Sequence, residues 1–438
     1  MKSISNHLKS IEEVFLYVYI WQIPFSWRII FDPNRSEWSE SFNEYMDISI
    51  YLGEIFVFSA LIIHILEYKI VNKSTILDFF SKIFEMFHVK QNKLLVLILT
   101  ACIIVNVLLS IDKILSLISI LHYLSFIIVF YLIFKLYVSR GTKFLYSVFL
   151  ILLISLSFQF LISFAQIINQ SSVGLNVLNE SIISIDKENV AKFHLFSNTY
   201  IRAYGTFLHP NILAAYALSS LVFLIYAIKY HLFHVKRSFI LYFLFISFLT
   251  ILISQSKISI ILFFIIILNF INEKIHLFHV KHLVYALLLF MVSAVSFLIL
   301  INDDSKQSLV TRIDQAILQS SFTKKEFLVG SGIGTYRISY DKLSSDWWNY
   351  EPIHFVPAIF LKETGIFISI IFLIIFLNTI NNVPRGNIDH LAIFLIFALT
   401  IISVDHFAWD IYQGTAVILI STLALYIDKN TNKLYNIY

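Results

Sequence analysis

The sequence predicts an all-α, polytopic integral membrane protein with about twelve transmembrane helices and a large extracytoplasmic loop. Three observations predict it. Hydrophobic residues make up 58% of the 438 positions and charged residues only 14%. The mean hydropathy of +0.80 lies far above that of a water-soluble domain. Apolar runs long enough to cross a hydrocarbon core of about 30 Å recur from one end of the chain to the other. One membrane domain, residues 1–438, is expected, because the bilayer rather than a water-excluded core organises the helices.

In order, the apolar runs fall near 14–31, 47–66, 94–111, 114–137, 145–168 and 210–228. They continue near 239–253, 257–271, 283–301, 356–378, 390–404 and 411–427, the pair around Ser254 being short. The polar stretch Met1 to Glu13 precedes the first run, which lacks a small-residue cleavage site and so reads as a retained anchor. Cys102, the single cysteine, lies inside an apolar run, where packing is its expected role and neither disulfides nor cysteine metal sites are built.

Charge orients the spans. Loops holding Lys69, Lys73, Lys82, Lys90 and Lys93, then Arg140 and Lys143, then Lys229, Lys236 and Arg237 alternate with loops poor in cations. Lys274 and Lys281, Arg385, and the tail with Lys429 and Lys433 continue the pattern, which places these loops and both termini in the cytoplasm. The net charge of +4 therefore reads as topology, with no nucleic-acid partner. Segments 32–46, 169–209, 254–257, 302–355 and 405–410 fall on the opposite face, 302–355 being the large loop. Phe-His-Val-Lys recurs from Phe87, Phe233 and Phe278 in cytoplasmic loops at irregular spacing. One codon choice for it is a palindrome, so a nucleotide element is favoured over a role in the protein.

Every polar constellation of interest lies on that opposite face. Arg202, His209 and Asn211 cluster where the run from Ile212 begins, and Pro210 suits a helix start whose amides favour anions. The same residues also fit plain structural duty, with Arg202 snorkelling to headgroups and His209 capping the span. Ser254 to Lys257 forms a polar hairpin with a lysine that reads either as a phosphate ligand or as an interfacial anchor. Gly330, Gly332, Gly334, Tyr336 and Arg337 precede the aromatic Trp347, Trp348 and Tyr350; no strand-helix-strand unit makes the glycines a dinucleotide fingerprint. His354 between Pro352 and Pro357 has a side chain able to take a proton at neutral pH. Glu363 follows inside the next span, where a carboxylate is rarely idle. Asp405, His406 and Asp410 crowd together without regular ligand spacing, so no metal is expected.

Taken in order, these segments resemble the O-antigen ligase and polymerase superfamily of bacterial envelope glycosyltransferases. Arg202 to Asn211 looks like that family's Arg-x-x-Gly-x-x-x-x-Pro-Asn element, Ser256-Lys257 like its Ser-Arg element, and Gly330 to Tyr336 like its Gly-x-Gly-x-x-x-Tyr element. Pro352 to Gly365 looks like its His-Asn element followed by Glu-x-Gly, and Asp405 to Gly414 like the Asp-His-x-x-Trp segment of some members. The resemblance covers roughly residues 195–425, and the first six spans carry little signature. Two positions depart from the pattern: Lys257 stands in place of arginine and Phe355 in place of asparagine.

The resemblance implies a metal-independent, cofactor-free membrane glycosyltransferase of polysaccharide biosynthesis in the bacterial cytoplasmic membrane. Its donor would be an undecaprenyl-diphosphate-linked oligosaccharide at the outer face, its acceptor a glycan, a lipid or a protein. His354 would be the catalytic base, with Arg202, Lys257, His209, Asn211, Arg337 and Glu363 binding substrate. The alternative is a flippase or transporter of the same lipid-linked sugar. It stands second because the sequence shows neither a line of ionisable residues through helix centres nor inverted repeats.

Overall fold

The computed structural model describes residues 2–31, 48–72, 93–187, 190–195, 198–229, 234–275, 323–336, 338, 355–381 and 407–426. These residues are mostly helical, with two small antiparallel hairpins. The expected runs at 283–301 and 390–404 lie outside them, as does most of 302–355.

Helix α1 covers Lys2–Gln22, which corrects the first expected span at 14–31. The polar stretch before residue 14 is itself helical, because it buries polar side chains against a neighbour: Ser5 Oγ donates to Glu67 Oε1 at 2.7 Å. The helix stops at Gln22 because Pro24 disfavours helical backbone at the residue before it. Residues 28–30 are instead strand β1, Arg28–Ile30, paired with β2, Ser49–Tyr51, with Arg28 opposite Tyr51. Helix α2, Leu52–Asn72, then runs back along α1.

Helices α3, Lys93–Leu109, α4, Lys113–Arg140, and α5, Thr142–Asn169, follow at the expected places. Asp112 caps α4 by accepting from Leu115 N at 3.0 Å, the usual use of a short acid before a helix. Strands β3, Lys192–Leu195, and β4, Asn198–Ile201, lead into α6, Pro210–Lys229, then α7, Arg237–Ile253, and α8, Lys257–Ile275. A short α9, Lys324–Val329, precedes α10, Val356–Asn381; a one-turn α11, Phe407–Asp410, precedes α12, Tyr412–Tyr426.

Among the described residues four helices are long and apolar enough to cross a membrane, within Lys113–Arg140, Thr142–Asn169, Pro210–Ile228 and Val356–Ile375; three shorter apolar ones lie within Leu94–Leu109, Arg237–Ile253 and Lys257–Ile267. The apolar window of Pro210–Ile228 is 89% buried and that of Val356–Ile375 only 33%, so α6 is central and α10 peripheral. Leu94, Leu97, Phe367 and Leu373 are exposed, a surface that lipid covers without cost and water does not.

Hydrogen bonds gather the polar connections at one end of the bundle. Trp27 Nε1 donates to Val177 O, Asn179 Nδ2 to Ser26 O, and Thr206 Oγ1 to Pro24 O, at 2.7 to 2.8 Å. Gln413 Nε2 also donates to Pro24 O, and Ile111 N to Ser331 O. The segments after α1 and α5 and before α6 and α12 therefore share that end, and the segment after α3 is tied to Ser331.

Candidate functional site

The loop from Arg202 to His209 enters this end without helical hydrogen bonds of its own, which an apolar layer does not tolerate unless side chains supply partners. Three glutamines do so. Gln166 Oε1 accepts from Tyr204 N and Gly205 N, while its Nε2 donates to Gly205 O and Glu180 Oε1. Gln159 Oε1 accepts from Thr206 N, and Gln413 Oε1 from Leu208 N. Gln159 and Gln166 are both fully buried on α5, seven residues apart and so on one face of the helix. Burial raises the pKa of the Tyr204 phenol, which stays protonated and accepts from Ala191 N at 2.8 Å.

The loop so held brings two separate motifs together. Arg202 Nε donates to Ser254 O at 2.8 Å, and Ala203 N donates to Ile253 O, so the loop closes over the end of α7. Arg202 Nη2 donates to Asn211 Oδ1 at 2.7 Å, and His209 Nδ1 accepts from Asn211 N. His209 O takes the first free amides of α6, from Ile212 and Leu213, so His209 caps the helix that Pro210 begins. Beyond Ser254, Gln255 adopts a left-handed φ of 53°, and exposed Lys257 starts α8. Neither α6 nor α8 has an acidic residue in its first turn. Two positive helix ends and two cations thus meet in one corner, and Lys257 sits where the helix dipole disfavours a cation. The guanidinium has structural work there as well, since the carbonyl it takes is one the end of α7 leaves open.

A second knot surrounds Glu363, which is 1% exposed. Its Oε1 accepts from Tyr336 N at 3.0 Å and its Oε2 from Trp409 Nε1 at 2.8 Å. Both carboxylate oxygens thereby tie the glycine motif and α11 to α10. Gly330 and Gly365 face each other with φ of 85° and 75°, and a Cβ at either would run into the other's backbone neighbourhood. The Gly330 to Tyr336 segment, part of the expected outer loop, packs against α3 and α10, with Ile333 N donating to Asn106 Oδ1 and Gly332 N to Glu363 O. Arg337 and His354 lie outside the described residues, as do Asp405 and His406.

The sequence reading missed the acids of the first two helices. Glu12 is 1% exposed and paired with His64 at 3.1 Å; Glu54 is 2% exposed and paired with His122 at 2.6 Å. The two pairs stand at different levels, with Leu16, Val57 and Ala60 fully buried at the positions between them. Ionisable residues therefore do enter the helix layer, although spacing along one chain gives no sign that each acid meets an imidazole from another helix. Comparison with known proteins finds no similar family model, no similar curated protein and no similar solved structure.

Proposed function

We propose that this chain is a membrane glycosyltransferase that takes an oligosaccharide from a polyprenyl-diphosphate donor at the outer face of the bacterial cytoplasmic membrane. About twelve spans with 302–355 as an outer loop belong to this proposal, as does the likeness to the O-antigen ligase and polymerase superfamily. The observation that carries it is the meeting of Arg202 with the Ser254 to Lys257 turn at the starts of α6 and α8. Two cations beside the starts of two helices favour a multiply charged anion. A diphosphate there would leave with its charge already stabilised, the kind of help that usually dominates such reactions. An imidazole would accept the proton of the incoming hydroxyl, and a direct displacement would invert the anomeric carbon. No metal or other cofactor enters this scheme.

Lys257 tests the proposal, because an interfacial anchor and a phosphate ligand respond differently to substitution. Arginine offers phosphate two parallel hydrogen bonds, so Lys257→Arg should preserve or raise turnover. Lys257→Gln should lower turnover about 10- to 150-fold at unchanged abundance, the effect of losing one charge-assisted contact of about 1.5 to 3 kcal/mol. The measurement is transfer from a radiolabelled lipid-linked donor in membranes, normalised to protein by immunoblot. Wild-type turnover per molecule in Lys257→Gln would make Lys257 an anchor and end the two-cation scheme.

A further inference from the structure

The Glu54 and His122 pair has features that the Glu12 and His64 pair lacks. Glu54 lies in the first turn of α2, its Oε2 accepting from Tyr51 N at 2.9 Å and its Oε1 lying 2.6 Å from His122 Nδ1. A carboxylate at Nδ1 holds the proton there, which leaves the lone pair on Nε2. Nε2 has no partner among the described residues, and the His122 side chain is 20% exposed. His64, by contrast, has a further interaction beyond Glu12.

The surroundings are polar. Tyr412 stacks on Tyr51 at 4.0 Å, and His122 meets both rings edge-on at 6.0 and 5.3 Å. The buried hydroxyls of Tyr19 and Tyr412 lie against each other, and the buried amide nitrogen of Gln22 has no hydrogen-bond partner among the described residues. Gln22 and Tyr412 both close on Gly53, next to Glu54. A buried polar group without a partner is costly and calls for an explanation, and the Gln22 amide lies against Gly53, the neighbour of the Glu54 that holds the open imidazole. Among the described residues the charged and titratable groups facing His122 are Glu54 from α2, Tyr51 from β2 and Tyr412 from α12, with Tyr19 from α1 beside Tyr412.

The pair also belongs to the end of the bundle that holds Arg202. Gln413, next to Tyr412, binds the Arg202 loop at Leu208 N, and Tyr123, next to His122, donates to Trp409 O at 2.7 Å. An imidazole oriented by a buried carboxylate, with its other nitrogen open, is the arrangement of a general base. We infer that His122 is the catalytic base of the transfer reaction and Glu54 its positioning residue. The inference rests on the glycosyl-transfer reading above. The acceptor's O–H bond breaks and its proton bonds to His122 Nε2. The freed oxygen bonds to the anomeric carbon, whose bond to the diphosphate oxygen breaks with the electron pair staying on the diphosphate. Glu54 balances the imidazolium until its proton passes to water.

The test is the pH profile of donor transfer in membranes, with His122→Gln, His122→Ala, Glu54→Gln and His354→Ala compared at equal protein. Glutamine can still donate to Glu54, so His122→Gln keeps the helix contact and removes only the base. Both His122 variants should lose about 100- to 10,000-fold, and the acid limb of the profile should vanish from the residual rate. Added imidazole should restore His122→Ala and leave Glu54→Gln unrestored. His122→Gln at wild-type turnover would overturn the inference. So would a loss that keeps the acid limb and resists imidazole, the behaviour of a packing ion pair, or an acid limb removed by His354→Ala and not by His122→Gln. Absence of transfer by the wild-type chain would instead remove the glycosyl-transfer reading on which the inference rests.

Discussion

Arg202→Gln is expected to lower transfer about 100-fold or more, because a guanidinium can give a diphosphate two charge-assisted bonds at once and glutamine gives neither the charge nor the fork. The same substitution also removes the bonds to Ser254 O and Asn211 Oδ1, so some loss of protein is expected with it. Turnover per molecule separates the two effects. A guanidinium that only closes the end of α7 would leave turnover unchanged while abundance falls. Arg202→Lys should retain part of the activity, since it keeps a point charge and loses the planar geometry. The readout is again transfer of a labelled lipid-linked donor divided by immunoblot signal.

Gln166→Leu should have the largest effect on stability. Leucine fills much of the volume but leaves Tyr204 N, Gly205 N and Gly205 O without partners and takes a donor from Glu180. Each buried group left unpaired costs about 1–3 kcal/mol, against a typical total stability of about 5–15 kcal/mol. The variant should therefore accumulate poorly in membranes, and what is extracted in detergent should unfold at a clearly lower temperature. Gln170→Leu makes a useful comparison, since Gln170 makes two side-chain bonds to backbone, from Ile201 N and to Ile167 O, against the four bonds of Gln166. Equal thermal stability of Gln166→Leu and the wild type would mean that the loop does not depend on its glutamines.

The helices were legible in the sequence because lipid demands long apolar runs, and the runs that became α3 to α8 need no tertiary information to be seen. The first was misplaced because hydropathy alone reads Trp27 to Phe31 as apolar, although Pro24 ends the helix and strand pairing takes Arg28 to Ile30. The corner at Arg202 was legible as two motifs, and the bond from Arg202 to Ser254 is what the fold adds. The glutamines were not legible. In an apolar run, Gln159 and Gln166 read as minor interruptions, and only the non-helical loop beside them explains their burial. Glu54 and His122 are 68 positions apart, and neither carries a local pattern. Glu363 was singled out correctly as a buried acid, but its two oxygens bind Tyr336 N and Trp409 Nε1, which makes it a clasp between segments in this structure.

The most direct measurement of the central claim is the location and form of lipid-linked saccharide in cells that lack this chain. Loss of a transferase that works at the outer face predicts complete oligosaccharide units accumulating on their polyprenyl diphosphate in the outer leaflet, restored to normal by the wild-type chain and not by Arg202→Gln. Accumulation of the same units in the inner leaflet would contradict it and make the protein a transporter of lipid-linked sugar.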